Sequence, residues 1–163
     1  MTAVGLRIAV LVAATVCTGL IAGLLAAFAY AVMPGLARTD DRTFVTAMAR
    51  INESIINAWF AVIFGGALLF TIGGIPLHLR AENPAALFWN TAALVLYLVA
   101  LVITGVVNVP LNNGLAGDEQ TVDPATARRR FETRWVRWNI ARAVAATAAV
   151  GCLGGALVQT TGG

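Results

Sequence analysis

Long uncharged runs divide this chain. Between Arg7 and Arg38 no charged residue occurs, and the stretch Ile8 to Met33 is long enough, at about 1.5 Å per residue, to cross roughly 30 Å of hydrocarbon as a helix. Three more apolar runs follow, from about Asn57 to Leu77, Ala85 to Val107 and Trp138 to Val158. The connections are patterned too. After Asp40, a good N-cap, apolar residues at Phe44, Ala47, Met48, Ile51 and Ile55 fall on a helical stripe that runs on into the second span. Asp123 followed by Pro124 marks another helix start, and nothing breaks the chain before Gly151. A helix from Pro124 to Val158 is about 50 Å long, so roughly 20 Å of it must stand outside the hydrocarbon. The pattern thus predicts an all-α polytopic membrane protein, a single domain over residues 1–163. Its four transmembrane helices, over about 7–33, 41–77, 85–108 and 124–158, form one bundle, with the second and fourth extended beyond the membrane on one side.

Composition agrees: a mean hydropathy of +0.81 with 59% hydrophobic and 12% charged residues leaves too little polar surface for a soluble domain of this size. The first apolar run is about twice the usual length of a signal's apolar core, which predicts a retained helix. No linker, low-complexity tract or convincing internal repeat is visible.

Charge orients the bundle. Arg38, Arg42, Arg50, Arg128, Arg129, Arg130, Arg134 and Arg137 belong to the two long connections, against Arg7 and Arg80 on the other side. Short cationic segments stay in the cytoplasm, which places the long connections there and both termini outside. Because these arginines flank membrane spans, headgroups rather than nucleic acid are their expected partners. The pairs Gly19/Gly23, Gly65/Gly66, Gly73/Gly74 and Gly151/Gly155 suit close helix packing and leave a homo-oligomer open.

One histidine and two cysteines build no conventional zinc, haem or iron–sulfur ligand set, and no phosphate-binding glycine loop follows a strand. Neither metal nor cofactor is expected. Cys17 and Cys152 read as buried inert thiols, and His78 as an interfacial residue.

The remaining polar groups gather at the arginine-rich end. Tyr30 and Met33 end the first span; Asn52, Glu53 and Asn57 enter the second; Asn108, Asn112 and Asn113 leave the third; Glu132, Trp135, Asn139 and Arg142 lead into the fourth. Steps of three, four and three from Glu132 to Arg142 place an acid, an indole, an amide and a guanidinium on one helical face. Arg142, a turn deeper than Trp138, needs a partner; Glu53 and Glu132 are the acids placed to reach it, with amides or helix-end carbonyls sharing the load. Taken singly, each residue has a structural reading. Asn108 caps a helix, Asn52 and Asn57 bridge helices, and Trp59, Trp89, Trp135 and Trp138 form interfacial belts. Taken together, so many amides at one end exceed what a scaffold needs.

The segments Val32-Met33-Pro34-Gly35-Leu36, Ile51-Asn52 with Ile56-Asn57, Asn108-Val109-Pro110-Leu111-Asn112, and Arg130-Phe131-Glu132 followed by Trp135, Trp138-Asn139 and Arg142 resemble the anthrone oxygenase family of small integral membrane proteins. The motifs stand in the family's order over nearly the whole chain. Fungal members oxidise an anthrone to an anthraquinone with molecular oxygen in polyketide pathways; many bacterial members have no assigned activity. The resemblance implies a cofactor-independent oxidoreductase acting on a lipid-soluble aromatic molecule. In that reading Phe131, Trp135, Trp138 and Trp59 wall a flat apolar slot, Glu132 or Glu53 is the base, and Asn57, Asn108, Asn139 and Arg142 are donors to the developing anion. Glu132, Asn139 and Arg142 are then the catalytic candidates. Tyr30, Met33, Asn52, Asn57, Trp59, Asn108, Asn112, Phe131, Trp135 and Trp138 are the substrate-binding candidates. The alternative is a noncatalytic membrane protein that binds a lipid or quinone-like ligand or serves as an assembly partner.

Overall fold

In the computed structural model, which describes residues 2–79 and 84–162, every regular element is a helix: α1 (Ala3–Leu36), α2 (Asp41–Ile55), α3 (Ala58–His78), α4 (Pro84–Asp118) and α5 (Pro124–Thr161). All but α2 are long and apolar enough to cross a membrane, so this is an integral membrane protein with four spans. The spans close into a ring in which α1 touches α3 and α5, and α4 touches the same two. Through the membrane their seams are rich in alanine, with Ala14, Ala67, Ala93, Ala146 and Ala149 fully buried, because small side chains let helices approach where lipid supplies no solvent-driven force. At the arginine-rich end the core changes character, and Phe28, Phe44, Met48, Phe131 and Trp135 pack α2 onto α1 and α5. That packing is the physical role of the stripe along α2.

Three boundaries depart from the sequence reading. The second helix does not run from 41 to 77: it stops at Ile56 (φ −80°, ψ 77°), and Asn57 is extended. Asn57 makes the break itself, donating from its amide to the Ser54 carbonyl (2.9 Å) while its side-chain oxygen accepts from the Phe60 N–H (3.0 Å), so one side chain closes α2 and caps α3. The first and third spans, by contrast, run past Met33 and Asn108. Each passes its proline through a π turn, Phe28–Val32 before Pro34 and Thr104–Asn108 before Pro110, with the Met33 and Val109 N–H groups reaching five residues back to Phe28 and Thr104. A proline ring crowds the carbonyl four residues back, and a widened turn just before it relieves that crowding without ending the helix. Asn108 is therefore an interior helix residue, not a cap.

The two halves of the chain repeat one plan, although no sequence repeat shows it. Each has a long helix with a π turn and a proline, then an aspartate N-cap bonded to both the N–H and the hydroxyl of the threonine three residues on: Asp40 with Thr43, and Asp123 with Thr126. At the opposite end, Arg7 donates to the Leu77 carbonyl (2.8 Å), and His78 is buried rather than interfacial, bridging the Gly74 carbonyl and the Thr160 hydroxyl. Arg80 lies outside the described residues. Cys17 and Cys152 are free thiols. The glycines divide: a Cβ on Gly74 would strike Asn90 at 2.5 Å, and one on Gly155 would meet Trp89 at 3.0 Å, so these two serve close packing. Gly19, Gly23 and Gly151 face open space.

Candidate functional site

The buried face of α5 carries Phe131, Trp135, Asn139 and Arg142 in steps of four, four and three. Glu132 is not in that column. It lies about 100° round the helix from Phe131, and Arg128 one turn back holds it at 2.7 Å. Arg128 is in fact saturated: it also donates to the Asp41 carboxylate (3.0 Å) and to the Thr39 and Ala37 carbonyls, and it stacks on the Phe44 ring. Glu53 is exposed and pairs with Arg50 at 3.1 Å. Neither acid expected to meet Arg142 does so.

Arg142 is held by neutral groups instead. It is only 8% exposed; its Nε and Nη2 donate to Asn139 Oδ1 (3.2 and 3.0 Å), its Nη1 donates to the Thr104 hydroxyl (3.2 Å), and its guanidinium lies 5.4 Å from the Trp135 ring. Asn139 is fixed in turn, because its amide donates to the Leu25 carbonyl (3.0 Å) across the seam with α1. Trp135 is clamped by an indole N–H bond to Asn112 Oδ1 (2.7 Å), stacking on Phe131, and contact with Phe28. Asn108 donates to the Trp135 carbonyl at 3.4 Å. Of the five guanidinium N–H groups of Arg142, three are used among the described residues, leaving a cation with spare donors and no carboxylate among them.

Arg142 lines a partly enclosed cavity of about 280 Å³, close to the lower end of the roughly 300–1,000 Å³ range of small-molecule sites. Its walls are apolar, with Leu24 and Phe28 from α1 and Phe60 and Phe64 from α3; its polar lining is Asn52, Thr104, Asn112 and Arg142, beside Trp135. None of the lining residues is acidic or a histidine. The Asn52 amide nitrogen is buried there without a partner.

The structure therefore brings Asn52, Asn112, Trp135 and Arg142 to one cavity and places Asn139, Asn108, Phe131 and Met33 behind it as support. Tyr30 and Trp59 stand about three-quarters exposed on the outer surface, Trp138 is exposed on the far face of α5, and Asn57 is spent on its cap. These four, with Glu132, are corrections to the sequence reading. Thr104 and the apolar walls were not singled out; Thr104 lies one helical turn before Asn108, the one local signal for it. Among the described residues no group of three or more His, Cys, Asp or Glu is placed to hold a metal ion.

A family model described as anthrone oxygenase matches residues 54–152, more than half of the chain. The match includes Thr104, Asn112, Trp135 and Arg142 and leaves the motifs around Pro34 and Asn52 outside it. No curated protein and no solved structure matches the chain.

Proposed function

The chain belongs to the anthrone oxygenase family, and from that premise we propose that it takes an apolar aromatic molecule bearing an acidic oxygen out of the bilayer, holds it as its anion against Arg142, and lets the anion reduce molecular oxygen. The observation that carries this reading is the buried Arg142 on the lining of an apolar cavity, paired with no carboxylate of a described residue. A buried cation left in that state costs several kcal/mol, and an anionic ligand is what offsets the cost.

An anthrone and its enol share one anion, with charge on the oxygen opposite the reactive carbon. A charge-assisted hydrogen bond contributes about 1.5–3 kcal/mol, so Arg142 makes that oxygen roughly ten- to a hundredfold more acidic without a residue base. Asn52 offers a second donor, and Trp135 the flat wall. Asn139 is a positioning residue that aims the guanidinium. The bound anion passes one electron to O2; the resulting radical and superoxide join at the former methylene carbon as a peroxide. Protonation gives the hydroperoxide, and loss of the remaining C–H proton with O–O cleavage releases hydroxide and leaves the second carbonyl. Two protons from carbon and one oxygen atom leave as water, and the other oxygen becomes the new carbonyl.

Oxygen consumption by the purified protein with an anthrone tests this, against the spontaneous rate and against its enol methyl ether, which cannot form the anion. Uptake that depends on the protein and on the ionisable enol is expected. A second reading, binding without turnover, draws on the absence of any acid or histidine in the cavity lining; saturable binding of the same anthrone with no uptake above the spontaneous rate would select it. The arginine distribution supports an orientation with α2 in the cytoplasm. Impermeant thiol reagents should then label Cys placed at Thr2, and not at Gly117, in intact cells.

A further inference from the structure

The face of α5 turned away from the bundle has its own architecture, independent of the cavity. Arg129, Arg134, Arg137 and Trp138 line an open groove of about 660 Å³ at the level where the helix enters hydrocarbon. Three acids of this end are engaged elsewhere: Glu132 by Arg128, Asp118 by Arg130, and Asp123 by its cap on Thr126. Arg134 and Arg137 make no side-chain hydrogen bond or ion pair with a described residue, so two guanidinium groups face outward uncompensated within one helical turn.

Below them the surface changes to suit an acyl chain. Arg137, Ala141, Val144 and Ala148 stand on one stripe in steps of four, three and four, which leads from the arginine groove to an apolar furrow of about 450 Å³ between α5 and α1. The furrow floor is small, with Ala26 and Ala29 on α1 and Ala143, Thr147 and Ala148 on α5, and Tyr30 stands exposed at its arginine-rich end.

The geometry points to a binding site for one anionic phospholipid, with its phosphate on Arg134 and Arg137, Trp138 beside the glycerol, and an acyl chain along the α1–α5 furrow. Guanidinium forks match phosphate oxygens in pairs, and a Trp at headgroup depth is amphipathic in the required sense. A second copy of this chain fits worse. A two-fold axis along the membrane normal would set one protomer's uncompensated arginines against the same arginines of its partner.

Native mass spectrometry of the full chain in mild detergent, with phosphatidylglycerol and phosphatidylcholine of identical acyl chains, tests the site. One phosphatidylglycerol per chain should be retained at least tenfold better than phosphatidylcholine. R134Q/R137Q should abolish that preference, while R134K/R137K keeps part of it, and A148L should weaken retention with both arginines intact. These positions face outward, so the variants should keep the parental circular dichroism, which is recorded in parallel. Equal retention of the two lipids, an unchanged preference in R134Q/R137Q, or displacement of phosphatidylglycerol by millimolar inorganic phosphate alone would overturn the proposal. So would a dimer whose interface excludes lipid from this face.

Discussion

Two arginines fourteen residues apart on α5 have opposite surroundings. Arg128, at the rim, is met by two carboxylates, two backbone carbonyls and an aromatic face. Arg142, four turns deeper where a charge is more costly, is met by one amide, one hydroxyl and an aromatic face. If arginine placement were only a matter of stability, the deeper residue would hold the carboxylates. The inverse arrangement separates a strut from a site: Arg128 is finished by the fold, tying α5 to α2 and to the end of α1, whereas Arg142 is left for something that arrives from outside.

Substitutions can break or sharpen that contrast. Arg142→Gln should have the largest effect, lowering affinity for an anthrone at high pH, where it is ionised, roughly 10- to 150-fold, the worth of one charge-assisted hydrogen bond, with little loss for its enol methyl ether. Isothermal titration or fluorescence quenching of Trp135 would measure it, and equal losses for both ligands would refute the anion reading. Asn139→Ala should follow, at about tenfold, because the guanidinium is kept but no longer aimed; a double variant with Arg142→Gln should add little more. Arg128→Gln should behave in the opposite way. It removes a partly buried network worth about 2 kcal/mol, seen as a lower unfolding midpoint in detergent, while affinity changes less than about twofold. Smallest of all, Glu132→Gln should leave oxygen uptake near the parental rate and cost about 1 kcal/mol of stability or less, since the exposed part of its pair is screened. An uptake collapse in Glu132→Gln with the fold intact would return the acid to the reaction and undo the comparison.

Much of this was legible in residue order, and the failures have identifiable causes. Hydrocarbon thickness and helical rise set the four spans, and the aspartates at 40 and 123 announced their helices, because these are local rules. The meeting of Asn112, Trp135, Asn139 and Arg142 was legible from depth, since each follows or precedes an apolar run of known length. Direction was harder. Glu132 and Phe131 differ by one residue and by about 100° of azimuth, and only knowledge of which side α2 packs on decides which of them turns inward. Asn57 looked like a polar group entering the membrane because depth does not reveal that a side chain is already committed to its own backbone. Tyr30, Trp59 and Trp138 were drawn in by chemical type alone, and at their depth an aromatic ring is as comfortable against lipid as against a ligand.

The two π turns bear on how such a cavity could arise or be lost. A π turn accommodates one surplus residue within a helix, so everything beyond it is rotated by about 100° relative to an uninterrupted α-helix. Asn112 lies beyond the turn at Thr104–Asn108, and Met33 beyond the turn at Phe28–Val32. Deleting a single codon within either segment would leave a plausible membrane span, with hydrophobicity and length hardly altered, yet would swing the amide that clamps Trp135, or the thioether beneath it, out of phase with its neighbours. For this scaffold, frame-preserving indels at two places are therefore a shorter route to a re-lined interior than any series of point changes.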